Sequence, residues 1–199
     1  MVKNLLKYLF PVLTIIVFLP CLSWAGFEGE QLVEMMPKGY KMGWQTSHNG
    51  MNMQEWVPEG ETVYNWTEML TTQVFLEGGK SPYKTGQLLE GIGEQWLAAC
   101  KGSKPEYPIK TGKANGYPVS VLYLRCPLNS KTGKPENTLF RAIKGNDSFY
   151  VIQKAFKFEP TREQLENTTQ YFATVNVCDT RTPEHPCPDL KAQGFHEQK

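Results

Sequence analysis

The sequence predicts an α+β fold, a twisted antiparallel β-sheet packed by two main α-helices and held by two disulfides. Three observations predict it. Tight-turn dipeptides join runs of alternating residues, which favours antiparallel strands. Two segments carry apolar residues at helical spacing and need a surface to cover. Four cysteines remain once an N-terminal export signal is set aside, an even number.

The first 25 residues read as a cleavable signal peptide. Lys3 and Lys7 supply its positive start, Tyr8 to Leu19 is an uncharged apolar run, and Ser23-Trp24-Ala25 places small residues at the cut. The run is shorter than the roughly 20 residues a spanning helix needs, so no stable membrane anchor is expected. Cys21 follows Leu19-Pro20, a poor context for lipidation. The working chain then starts at Gly26. A single domain is expected over residues 26–188, with a flexible tail over 189–199.

Residues 26–38 form a lead-in. Gly39 to Trp56 reads as a hairpin about Asn49-Gly50, with Tyr40, Met42 and Trp44 alternating along one face. On its return arm Met51, Met53 and Glu55 alternate with Asn52, Gln54 and Trp56. Glu68 to Glu77 is rich in β-branched and aromatic residues and reads as a strand. A helix is the alternative, since Trp66, Leu70 and Val74 also share a helical face.

Thr85 to Cys100 is the first helix. Leu88, Ile92, Trp96 and Cys100 recur every fourth residue, Leu89 and Leu97 widen the stripe, Thr85 is its expected cap and Gly102 lies past its end. A short strand is expected at Tyr107 to Lys110. Asn115-Gly116 turns into a strand at Tyr117 to Arg125. Asn137 to Ile143 and Ser148 to Phe158 make another hairpin. Its second arm is apolar on both faces at Phe149 to Ile152, which makes it central. Thr161 to Val175 is the second helix, opened by a Thr161/Gln164 capping box. The three prolines of Cys178 to Pro188 predict an irregular loop.

The four cysteines are Cys100, Cys126, Cys178 and Cys187. Three pairings exist. Cys100–Cys126 with Cys178–Cys187 closes the shortest loops and is the expected one. The two lysines of the signal are among 21 basic residues, so 19 basic face 20 acidic ones after processing. A near-neutral chain has no electrostatic reason to bind nucleic acid.

The order of elements between Tyr40 and Val175 resembles that of Mog1/PsbP-like domains. That resemblance implies a binding or assembly module and carries no functional residue with it.

Chemistry-bearing motifs are sparse. His48 sits by a turn, and His185 and His196 lie in loop and tail, so none is held as a catalytic base. Cys178, Asp179, His185 and Cys187 match no familiar zinc spacing, and no metal or cofactor is expected. Gly78-Gly79-Lys80-Ser81 lacks the first glycine of a phosphate loop, because position 74 is Val74. Glu90 and Glu94 read as a solvated helix face. What stands out is Trp44, Met51, Met53 and Trp56 crowding the first hairpin, since aromatic and methionine clusters left exposed mark binding surfaces. The expectation is an exported binding or assembly protein, periplasmic or secreted, without catalysis, whose partner is another exported or envelope protein. An exported enzyme of unfamiliar type, such as a hydrolase, and a structural envelope component are the alternatives.

Overall fold

The computed structural model describes residues 28–100, 102–103 and 109–188. The expected signal peptide and C-terminal tail lie outside these residues, as do residues 107 and 108 of the strand expected at 107–110.

The strands are β1 (Glu30–Val33), β2 (Tyr40–His48), β3 (Met51–Pro58), β4 (Glu68–Phe75), β5 (Lys110–Ala114), β6 (Tyr117–Leu124), β7 (Asn137–Lys144), β8 (Phe149–Phe156) and β9 (Asn176–Asp179). The helices are α1 (Thr85–Ala99) and α2 (Arg162–Thr174). Seven strands form one antiparallel sheet in the order β2-β3-β4-β8-β7-β6-β5. β8 is central, as its apolar sequence predicts. β1 and β9 pair separately, antiparallel, with Glu30 opposite Asp179.

Turn chemistry sets the registers. Asn49 and Gly50 both take positive φ (49° and 73°), as do Asn115 and Gly116 (46° and 81°). Those are the angles of a two-residue hairpin turn whose twist matches the strands. Gly116 has a second reason to be glycine. A Cβ there would lie 2.6 Å from the ring of His185.

The sheet buries both faces of its β6–β8 half. On one face α1 lays Leu89 and Gly93 against Leu122, Leu124, Phe140 and Val151. Gly93 allows the approach, since a Cβ there would already touch Leu122 Cδ2 at 3.4 Å. The most buried line of α1 is therefore Leu89–Gly93, with Leu88, Ile92 and Trp96 flanking it. On the other face Phe172, Val175 and Val177 pack on Leu70, Leu139, Ile143 and Ile152.

Thr161 caps α2 as expected, accepting from the Gln164 amide at 3.2 Å while Gln164 Oε1 accepts from the Thr161 amide at 2.8 Å. Thr85 does not cap α1. It is the first helical residue, and its buried hydroxyl lies 2.7 Å from Ser120 Oγ on β6. Gln87 Oε1 instead accepts from the Lys84 amide at 2.9 Å.

Cys100–Cys126 and Cys178–Cys187 are disulfide-bonded, closing separations of 26 and 9 residues. The first ties the end of α1 to the end of β6. The second closes the loop after β9. Loop-closure entropy gives about 3.5 kcal/mol for the longer and about 2.6 kcal/mol for the shorter. Paired serine substitutions at each bridge are expected to cost these amounts in that order, read from urea midpoints with the other bridge intact.

Candidate functional site

The sheet's two ends are treated differently by the helices. α1 lies over β5, β6 and β7. The same face of β2, β3 and β4 carries Trp44, Met51, Met53, Glu55 and Gln73, all half-buried or exposed. Trp44 is 42% exposed. A polar ladder crosses this half-sheet: Gln153 Nε2 donates to Gln73 Oε1 at 3.0 Å, and Gln73 Nε2 lies 3.1 Å from Met53 Sδ.

Trp44 reaches this face because of a β-bulge. Met42 is opposite Trp56, but Trp44 is opposite Glu55, so one extra residue lies between them. That residue is Gly43, where a Cβ would stand 2.8 Å from Val63 Cγ1 and 3.3 Å from Val57 Cγ2. The expected common face of Tyr40, Met42 and Trp44 is thereby corrected. Tyr40 and Met42 look to the α2 side, and Trp44 to the α1 side. The four hairpin residues separate in the same way. Trp44, Met51 and Met53 come together, while Trp56 belongs to the opposite face.

Trp56 opens onto a groove of about 770 Å³ on the α2 side. Its floor is Gln45, Asn52, Gln54, Trp56 and Thr72, and its wall is β1 and the chain after it, with Leu32, Glu34 and Met36. Glu34 fixes that wall. Its carboxyl accepts from Thr72 Oγ1 at 2.6 Å and from Tyr171 OH at 2.7 Å. Burial pushes its pKa up, opposed by those two hydrogen bonds. A raised carboxyl pKa means that the folded state holds the proton more tightly, so stability is lost as pH rises from the ordinary 4.5 through the folded value. Glu34→Gln is expected to flatten that slope, measured as urea midpoint against pH.

A second pocket of about 270 Å³ lies on the same side, between α2, β4 and β8. Lys154 is buried there, with Nζ 2.6 Å from Glu68 Oε2 and hydrogen-bonded to the Tyr40 hydroxyl. Tyr40 OH also donates to Glu68 at 2.7 Å. Burial alone would raise the Glu68 pKa, but the Lys154 and Tyr40 hydrogen bonds hold it below the usual glutamate range. Burial pushes Lys154 down. The Lys154 ammonium sits 4.4 Å from the Tyr40 ring centroid. All three groups are consumed by one another, which makes the cluster a clamp between β2, β4 and β8 rather than free chemistry.

The remaining sequence candidates are structural. His185 is ordered: its ring stacks on Tyr117 at 3.9 Å, and Nδ1 lies 2.8 Å from the Asn115 carbonyl oxygen. His48 is exposed at the β2–β3 turn. Cys178 and Cys187 are spent on their disulfide, so the zinc set is not available as thiolates. Among the described residues no three His, Cys, Asp or Glu side chains gather to hold a metal. Gly79 turns tightly against the β7–β8 turn, donating to the Asp147 carbonyl at 3.1 Å.

No family model matches this chain. No curated protein matches it either. Among solved structures it is similar to LpqN of Mycobacterium tuberculosis, described as involved in cell envelope biogenesis. The two are 10% identical with a TM-score of 0.39, over 77% of this chain and 86% of that one. A likeness that distant transfers neither residues nor activity.

Two surfaces on the β2–β4 half of the sheet therefore stand apart from the structural core. One is an open aromatic and methionine face. The other is a polar groove. The sequence singled out residues of both as one cluster and missed Gln45, Gln54 and Glu34. The alternation of Asn52, Gln54 and Trp56 was a readable signal for the groove floor. The wall, contributed from far away in sequence, was not.

Proposed function

We propose that this chain is an exported, single-domain binding or assembly protein, periplasmic or secreted, whose partner is another exported or envelope protein. The proposed docking surface is the open half-sheet around Trp44, Met51 and Met53. One observation carries the reading: the bulge at Gly43 turns an exposed tryptophan onto a sheet face that α1 leaves uncovered beside two methionines. Flexible thioethers beside a rigid aromatic suit an adaptable protein contact. Two disulfides fit an oxidising compartment, which agrees with the signal-like first 25 residues. The element order that resembles Mog1/PsbP-like domains points the same way.

The test is photo-crosslinking in the native host from a reactive side chain installed at position 44, with exposed Glu163 on α2 as the control site. One exported protein is expected to be captured from position 44 only. Trp44→Lys with Met53→Lys is expected to leave the circular dichroism unchanged and cut recovery of that partner by roughly thirtyfold, the weight of one hot-spot residue. Equal capture from both positions sinks the reading.

A further inference from the structure

The groove on the α2 side has a chemistry of its own, and it does not depend on the docking surface. Its lining contains no lysine, arginine or histidine, so phosphate or carboxylate ligands find no counter-charge there. Its single ionisable lining group is Glu34, already engaged by two hydroxyls. Gln45 and Gln54 lie directly opposite each other on β2 and β3, and among the described residues neither carboxamide makes a hydrogen bond. Each offers two donor hydrogens and an acceptor oxygen. Asn52 spends its oxygen on Ser47 Oγ at 2.7 Å, which leaves its amide hydrogens to point elsewhere. The indole N–H of Trp56 is buried and, among the described residues, has no partner.

A wall of Leu32, Met36 and Val74 completes the lining. The groove thus combines an aromatic side chain, apolar patches and a row of groups that both donate and accept. Its volume falls within the range of small-ligand sites, roughly 300–1,000 Å³. Hydroxyl groups also both donate and accept, and a sugar ring has apolar C–H faces that suit an indole. We infer that this groove binds a neutral saccharide, with Gln45, Gln54 and Asn52 hydrogen-bonding its hydroxyls and Trp56 lining its apolar face. Short oligosaccharides fit a lining of uncharged donors and acceptors better than a compact charged metabolite.

The test uses saturation-transfer NMR on the full processed protein with maltotriose, chitotriose, xylotriose and mannotriose, each at millimolar concentration. At least one is expected to receive saturation and to bind roughly tenfold more weakly in Gln45→Ala/Gln54→Ala, the loss of one or two hydrogen bonds to a buried ligand. Gln45 is exposed and Gln54 half-buried, and circular dichroism checks that the variant folds. Trp44→Lys is expected to bind the same sugar unchanged, which separates this site from the docking surface. No transfer to any of the four trisaccharides overturns the inference. So does binding that the double alanine variant leaves intact, or preferential binding of glucose 6-phosphate over the neutral trisaccharides.

Discussion

Arg141→Met is expected to stabilise this protein by about 2 kcal/mol, the middle of the range seen when buried charge is exchanged for an apolar side chain. Arg141 lies on β7 between Leu139 and Ile143, opposite Val121 on β6 and Ile152 on β8. It is 5% exposed. One terminal guanidinium nitrogen is buried with no acceptor, and no ion pair to it forms among the described residues. Burial pushes its pKa down. An arginine does not escape that cost by losing its proton at neutral pH, so the penalty falls on folding. Methionine keeps the unbranched stem that packs against the sheet and removes the charge. The check is a urea midpoint that moves up with an unchanged slope. A lower midpoint would mean that an anion outside the described residues neutralises the guanidinium.

Lys154→Met is expected to cost about 3 kcal/mol, because it leaves one partner of a buried pair behind. The Glu68 carboxylate would lose its one cation among the described residues, and the Tyr40 hydroxyl one of its bonds. The sign with pH follows from Glu68. In the wild type its folded pKa lies below the ordinary 4.5, so its contribution is present above that value and lost as pH falls through the folded pKa. With Lys154 gone, burial becomes the dominant influence and the folded pKa rises. Stability of the variant is then expected to fall as pH rises above 4.5, the opposite slope. Urea midpoints of both proteins between about pH 2 and 7 read this directly. Parallel profiles would show that the clamp contributes geometry and no electrostatics.

The legible parts of the fold were those with local causes. Asn-Gly turns, the Thr161/Gln164 box and four-residue spacings act within a few residues, and each marks its element. β1 and β9 escaped because each is four residues long, too short to show a period, and each is a strand only through the other. The facing of Trp44 was misjudged for a different reason. Alternation is a safe guide only while the register is unbroken, and Gly43 breaks it by one residue. A glycine inside an alternating run was the available warning. Arg141 sits in a strand whose pattern reads as apolar on both sides, and nothing in its neighbours announces an unpaired charge. The Tyr40–Glu68–Lys154 clamp draws on three strands and has no sequence signature at all.

The β1–β9 pairing also governs when this chain can finish folding. Glu30 reaches from β1 to the amides of Asp147 and Ser148 and to the Tyr150 hydroxyl, while β1 itself waits for Asn176–Asp179. The strand that is synthesised first is closed by the strand that is synthesised last. Long-range pairings of this kind are slow to form, since the loop entropy is spent before the contact is won. A chain that lacks β9 holds Leu32, Glu34 and Met36 only through the side-chain bonds of Glu30 and Glu34, without the strand pairing. The groove wall is complete only once Asn176–Asp179 have paired with Glu30–Val33. Closing the groove wall is therefore a late step of folding, set by the pairing of the first and last described strands.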